Sequence, residues 1–155
     1  KVFEVLSIAS AKNGAMFTFL ALVTGSIWGK PMWGTWWVWD ARLTSELILF
    51  FLYLSIIFLY HAYDDYRKGA KAANILAIVG FINIPIIHFS VEWWNTLHQG
   101  PSVMKFSAPS IASEMLYPLI YTTIGFTFYF ALAVLLSARN TLLEREKNTS
   151  WAKLI

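Results

Sequence analysis

The stretch from Trp33 to Thr44 holds the residues best suited to chemistry, and it lies between two apolar runs. It contains four tryptophans, one acid and one base, namely Trp33, Trp36, Trp37, Trp39, Asp40 and Arg42. If the segment is helical, the first three tryptophans share one face. If it is extended, Trp37 and Trp39 do. Either arrangement gives an aromatic surface edged by a carboxylate and a guanidinium, which suits a flat, largely apolar ligand with a few charged groups.

Two structural explanations of the same residues stay open. Tryptophan favours the interface between a membrane and water, so each ring could be an anchor rather than part of a ligand site. Asp40 could pair with Arg42, or it could cap the helix that follows.

The three histidines differ in their surroundings. His98 follows Trp93 and Trp94 in one polar segment, and an imidazole near an aromatic surface is what axial ligation of a haem iron requires. His88 follows Pro85 closely and is interpreted as a hydrogen-bonded structural residue, with a ligand role as the alternative. His61 lies beside two aspartates and is interpreted as a solvated interfacial residue.

The composition indicates a membrane protein. Hydrophobic residues make up 57% of the 155 residues and charged residues only 14%, whereas soluble domains carry about 25% charged residues. Long apolar runs explain this shortage of polar surface better than a large core does. We expect one membrane domain over residues 1–155 and no separate soluble domain.

The apolar runs predict an all-α fold, a polytopic membrane helix bundle with four transmembrane helices. The predicted spans are about 2–29, 43–63, 73–90 and 115–138. The connections 30–42 and 91–114 are predicted to be Trp-rich outer loops. Thr44 and Ser45 are possible N-caps of the second span, and Pro85 is expected to kink the third.

The distribution of lysine and arginine predicts the orientation of these spans. One side would hold nine of the twelve basic residues, and cytoplasmic faces are enriched in Lys and Arg. The nine are Lys1, Lys12, Arg67, Lys68, Lys71, Arg139, Arg145, Lys147 and Lys153. Both ends of the chain are then cytoplasmic, and the two Trp-rich loops share the outer face.

Several classes of function are not supported. The chain has no cysteine, so thiolate metal sites and thiol chemistry of its own are excluded. The dispersed basic residues and net charge of +3 are not typical of nucleic-acid binding. No Ser or Thr lies in a nucleophile-elbow pattern, and no phosphate-binding glycine loop occurs.

Three blocks of the sequence resemble the CcmC family of haem-handling membrane proteins. They are WGTWWVWDARLT followed by SELILFFLYL, the preceding FTFLALVTGSIWGKPMWG, and the later NIPIIHFSVEWWNTLHQG. The first is similar to the tryptophan-rich WWD signature of haem-handling proteins in general. All three together, in this order, indicate the CcmC family in particular.

The resemblance implies non-covalently bound haem b at the outer, periplasmic face of the bacterial inner membrane. The WWD segment would contact the haem and the haem chaperone CcmE, with Asp40 and Arg42 matching the signature's acid and base. The implied partners also include the CcmA and CcmB ATP-binding cassette complex, the small membrane protein CcmD and the lipid bilayer. His98, within NTLHQG, matches one of two axial histidines, and Trp93 and Trp94 precede it.

The chain departs from the family pattern in one respect. It matches the family's last four helices, so the resemblance implies that two helices and the other axial histidine lie upstream of Lys1. We expect haem binding and transfer without covalent chemistry, and therefore no enzymatic activity. The alternative is a cytochrome c haem lyase or synthetase of the same WWD superfamily. A channel whose tryptophans are only membrane anchors is a third possibility, but no row of ionisable residues follows one helix.

Overall fold

The computed structural model describes residues 1–100, 102–103, 105, 109–147 and 149. It is all-helical, as predicted, with no strand among these residues. The helices are α1 (Val2–Trp33), α2 (Ala41–His61), α3 (Tyr66–Gly80), α4 (Asn83–Trp93) and α5 (Ser113–Glu146). Part of the predicted loop 91–114, and Lys153 of the orientation count, lie outside the described residues.

Four membrane spans are available by length and composition. α1, α2 and α5 each provide one, and α3 with α4 together provide the other, Tyr66–Trp93. These helices are long and apolar enough for a multi-pass membrane protein. Many large apolar side chains are exposed, such as Phe128 and Ile78 with 73% and 74% of their surface accessible, as suits contact with lipid.

α1 and α2 form the centre of the bundle. α3 and α4 pack against α2 on one side, and α5 packs against α1 on the other. The α1 surface is rich in small residues, so neighbouring backbones approach closely. Gly14 shows this directly, because a β-carbon there would lie 2.7 Å from the ring of Tyr53.

α1 extends further than the sequence predicted. It ends at Trp33 rather than near residue 29, with Pro31 inside its last turn. Gly34 terminates it in the left-handed conformation (φ 77°), and its N–H donates to the Lys30 carbonyl at 3.0 Å. The first residues of the predicted Trp-rich loop are therefore helical.

Asp40 begins α2, so the prediction of Thr44 or Ser45 as N-cap is wrong. The Asp40 carboxylate accepts a hydrogen bond from the Leu43 N–H at 2.8 Å. Asp40 has extended backbone angles suited to an N-cap, whereas Thr44 and Ser45 already lie inside the helix.

The third span is interrupted between α3 and α4, at Phe81 and Ile82. Pro85 has no N–H to donate to the Phe81 carbonyl four residues earlier, and its ring would collide with that carbonyl in a regular helix. The Phe81 carbonyl accepts instead from the Ile84 N–H at 3.1 Å. Pro85, which was expected to kink the helix, therefore breaks it one turn before its own position. The Asn83 side chain then donates to the Ser45 carbonyl at 2.9 Å and ties α4 to α2.

The end of the bundle where α1 begins and α5 finishes is held by charges, and we call it the charged end. Lys1 pairs with Glu146 at 2.8 Å and Arg145 pairs with Glu4 at 3.2 Å. The Arg145 guanidinium carbon also lies 5.0 Å from the ring centroid of Tyr66. The first and last helices are thereby joined to the start of α3.

Candidate functional site

His98 and Asp40 form the central pair of the opposite end, which we call the cavity end. Nδ1 of His98 lies 2.9 Å from Oδ2 of Asp40. The Asp40 side chain is only 5% exposed and that of His98 20%, so the contact is largely shielded from solvent. Asp40 comes from the start of α2 and His98 from the segment after α4. The pair therefore joins the two segments that the sequence singled out.

The two oxygens of Asp40 have separate partners. Oδ1 accepts from the Leu43 N–H and Oδ2 faces His98. The His98 backbone N–H donates to Thr96 Oγ1 at 3.0 Å. When Nδ1 of His98 carries the proton and donates to Asp40, Nε2 presents its lone pair away from the carboxylate. A carboxylate behind an imidazole fixes the tautomer and orientation that metal-ligating histidines need.

A cavity of about 570 Å³ lies beside His98, within the roughly 300–1,000 Å³ typical of small-molecule sites. Trp33 forms one wall, with its ring centroid 4.7 Å from that of His98 and the two planes at 70°. Trp28 extends this wall, at 5.2 Å from Trp33. The described lining residues are Trp28, Met32, Trp33, Arg42, His88, Val91, Leu97, His98, Gln99, Gly100, Ser102 and Val103.

The other tryptophans of the WWD segment lie elsewhere. Trp37 and Trp39 contact each other at 5.4 Å, as expected for the extended alternative, because the chain leaves the helix at Gly34. Trp37 is half-buried and lines an apolar groove between α1 and α2. Trp36 and Trp39 are 56% and 75% exposed and line no part of the cavity. The segment is therefore divided rather than a single aromatic platform.

Trp93 and Trp94 also lie outside the cavity lining. Trp93 stacks on Phe89 at 5.3 Å with the planes 18° apart, and it contacts Trp94 at 5.8 Å. More than half of each tryptophan's surface is exposed. They thus form an aromatic edge at the end of α4, next to the segment that carries His98.

Arg42 and His88 are the remaining titratable residues of the lining, besides His98. Arg42 forms no ion pair within the described part of the chain, so the interpretation that it pairs with Asp40 is wrong for this structure. Asp40 instead follows the capping alternative and also faces His98. No acidic residue is among the described lining. The cavity therefore has apolar aromatic walls, the guanidinium of Arg42, which is unpaired among the described residues, and two imidazoles. The nearby Asp40 carboxylate is engaged by His98 and the Leu43 N–H.

Trp28 and Met32 were not predicted as site residues, and His88 was considered a ligand only as an alternative, but all three line the cavity. Trp28 and Met32 lie on α1 one turn apart, and the helical continuation to Trp33 is what brings them together. His88 was interpreted as a hydrogen-bonded structural residue. Its ring packs edge-on against Phe89 at 4.7 Å, with no hydrogen bond to the ring among the described residues. Pro85, three residues before His88, was the one feature of the sequence that indicated an irregular helix near this residue.

The side chains around the cavity suit a metal that is bound mainly by an organic ligand such as a porphyrin and needs few bonds from the protein. The described residues include no group of three or more His, Cys, Asp or Glu side chains that would hold a bare ion. One oriented imidazole beside an apolar wall suits a metalloporphyrin, whose iron needs only axial bonds from protein.

A family model described as heme exporter protein C, CcmC, matches residues 1–153. The chain is 60% identical over 155 residues to heme exporter protein C of Haemophilus influenzae, all of this chain and 63% of that protein. It is 54% identical over 151 residues to heme exporter protein C of Escherichia coli K12, 97% of this chain and 60% of that protein.

A more distant relative comes from a plant. The chain is 48% identical over 143 residues to a putative cytochrome c biosynthesis ccmC-like mitochondrial protein of Marchantia polymorpha, which is 92% of this chain and 60% of that protein. The chain thus spans about three-fifths of the length of the curated relatives it matches.

Proposed function

Because the chain belongs to the heme exporter protein C family, we propose that it handles haem for cytochrome c maturation, binding haem b non-covalently in the cavity beside His98. The name shared by its relatives supports haem as the ligand, and the cavity supports its location. The single observation that carries the proposal is the partly buried contact between Asp40 and His98 at 2.9 Å. It orients an imidazole at the wall of a cavity whose lining is mostly apolar.

In this proposal the protein supplies binding and orientation. His98 would hold the haem iron through Nε2, and Asp40 would keep the imidazole in the tautomer that leaves Nε2 free. Trp28 and Trp33 pack against the porphyrin, and Arg42 faces its carboxylates. The iron and the porphyrin bring their own redox chemistry. No covalent bond to the protein is formed, so the protein acts as a binding and transfer protein rather than an enzyme.

The exposed tryptophans receive a different role. Trp36 and Trp39 present their rings to the surroundings beside the cavity, and Trp93 and Trp94 form the neighbouring aromatic edge. Such exposed aromatic side chains are typical of protein contacts. We assign Trp36 and Trp39 to the haem chaperone CcmE, with CcmA, CcmB and CcmD as the other partners. Trp37 lies against apolar residues of α1 and α2 and anchors the segment at the membrane.

The cavity end is proposed to lie at the periplasmic face of the inner membrane. Lys1, Arg67 and Arg145 lie at the charged end together with four acidic residues, and the orientation rule counts only the Lys and Arg residues, which it places on the cytoplasmic side. Haem captured at the cavity end would then be passed to the chaperone on the side where c-type cytochromes are assembled.

Haem titration of the full-length protein in detergent tests this function. We expect His98→Ala to lower haem affinity by about 100-fold or more and to alter the Soret band, since even the loss of a residue that supports a metal ligand costs 10–100-fold. His61→Ala, at the opposite end of α2, is the matched control and should bind like the wild type. Equal affinities and spectra for the two variants would refute His98 as the ligand.

Two further experiments test haem transfer to the chaperone and the absence of haem lyase activity. Trp36→Ala combined with Trp39→Ala should keep the haem affinity but slow haem transfer to purified CcmE several-fold. Incubation of the wild type with haem and an apocytochrome c peptide should give no thioether product. Thioether formation would instead support the haem lyase alternative.

A further inference from the structure

We propose that His88 and Arg42 together form the subsite that binds the two carboxylates of the haem, at the part of the cavity lined by α2 and α4. This inference rests on the proposed haem site and adds His88 to Arg42 as the second donor to the haem carboxylates. Arg42 lies in the first turn of α2, and His88 lies in α4. Both line the cavity that contains His98.

The packing of α4 on α2 brings the two residues to a similar depth. The bond from the Asn83 side chain to the Ser45 carbonyl fixes where the two helices meet. Arg42 lies three residues, about 4.5 Å, towards the cavity end from Ser45, and His88 lies five residues, about 7.5 Å, in the same direction from Asn83. The break between α3 and α4 places Asn83 beside Ser45. The hydrogen bond between these two residues therefore fixes the positions of Arg42 and His88 along the two helices.

The donors at this position favour an anion. Arg42 is the charged residue of the described lining, and the nearby Asp40 carboxylate already accepts from the Leu43 N–H and contacts His98 through its other oxygen. Arg42 makes no ion pair among the described residues; the acid whose charge it affects is Glu46, one turn deeper in α2 and outside the lining. A guanidinium and an imidazole N–H both donate to carboxylate oxygens, and Arg does so with two parallel bonds.

The surroundings of the two cavity histidines assign them different roles. His98 has a carboxylate on Nδ1, the arrangement of a metal ligand. The ring of His88 has only the edge contact with Phe89 and no hydrogen-bond partner in the described part of the chain. Its ring N–H therefore remains available as a donor. His98 therefore holds the iron side of the ligand and His88 the carboxylate side.

Comparison of haem with haem dimethyl ester tests the subsite, because esterification removes the carboxylate charges and leaves the iron and porphyrin unchanged. We expect His88→Gln to weaken haem binding by about 10-fold, the lower end for one hydrogen bond to a charged group, and Arg42→Gln by more. Neither substitution should change the affinity for the ester. The Soret band of the His88→Gln complex should match the wild type. His61→Gln is the matched histidine control.

Three results would overturn the subsite. His88→Gln could bind haem as the wild type does, it could lose haem and ester equally, or it could shift the Soret band, as an axial ligand would. Failure of the proposed haem site itself looks different. In that case the wild type binds neither haem nor ester, or His98→Ala leaves the spectrum unchanged.

Discussion

The two ends of the bundle use their polar residues in opposite ways. At the charged end, Lys1 pairs with Glu146, and Arg145 pairs with Glu4 and lies over Tyr66. These charges are matched within the protein and join three helices. At the cavity end, Arg42 and His88 border an open cavity without an acidic partner among the described residues.

We therefore expect the charged end to contribute to stability and the cavity end to bind a ligand. Matched charges stabilise the folded bundle but leave little for a ligand to gain. Unmatched donors around an apolar cavity cost stability and favour an anionic, largely apolar ligand. Substitutions at the charged end should therefore change the stability of the protein and leave haem binding intact. Substitutions at the cavity end should weaken haem binding and leave the stability largely unchanged.

Gly69→Ala is expected to have the largest effect and to act at the charged end. A β-carbon at residue 69 would collide with the backbone carbonyl of Tyr60, which cannot move aside as a side chain can. We expect a loss of about 3 kcal/mol in unfolding free energy, the upper end for overpacking. Thermal unfolding in detergent measures it. Gly125→Ala, where the added methyl meets open space inside α5, is the control and should be at least as stable as the wild type.

Asp40→Asn should have an intermediate effect, confined to the cavity end. Asparagine is as good an N-cap as aspartate, so α2 should keep its cap through Leu43. The charge behind His98 disappears, which should weaken haem binding by about 10–100-fold. Haem titration together with thermal unfolding separates the two. A fall in unfolding temperature with unchanged haem affinity would mean that Asp40 serves only the helix.

Glu4→Gln is expected to have the smallest effect. Glutamine still accepts a hydrogen bond from Arg145 but removes the negative charge, so the unfolding free energy should fall by about 1 kcal/mol. Because screening weakens the wild-type pair, the difference between variant and wild type should shrink at high salt. Haem affinity should stay the same. A change in haem affinity of the size expected for Asp40→Asn would contradict the separation of the two ends.

Much of the fold could be predicted from the sequence because membrane spans depend on long apolar runs. Four spans and the family membership are confirmed. The predicted helix boundaries were less accurate near prolines, because a proline can either lie within a helix or interrupt it. Pro31 looked like a loop residue, yet α1 continues through it to Gly34, whose left-handed conformation ends the helix. Pro85 did mark an irregularity, but the break falls at Phe81, whose carbonyl the proline ring would meet.

The site was harder to predict because it depends on contacts between distant segments. The WWD segment and His98 were singled out, but which tryptophans face His98 depends on the residue at which α1 ends. Since α1 ends at Trp33, that ring faces His98 while Trp36 and Trp39 point elsewhere. His88 entered the cavity lining through the helix break, which residue types alone do not locate. The roles of all these residues remain predictions.

The division of labour within the Asp40 carboxylate has a kinetic consequence. One oxygen holds the start of α2, and the other holds the imidazole of the segment after α4. The second contact can open while the first stays closed, so His98 can swing away without fraying the helix beneath it. If the His98 contact opens while the α2 cap stays closed, release of the proposed haem would require only a local motion and not unfolding.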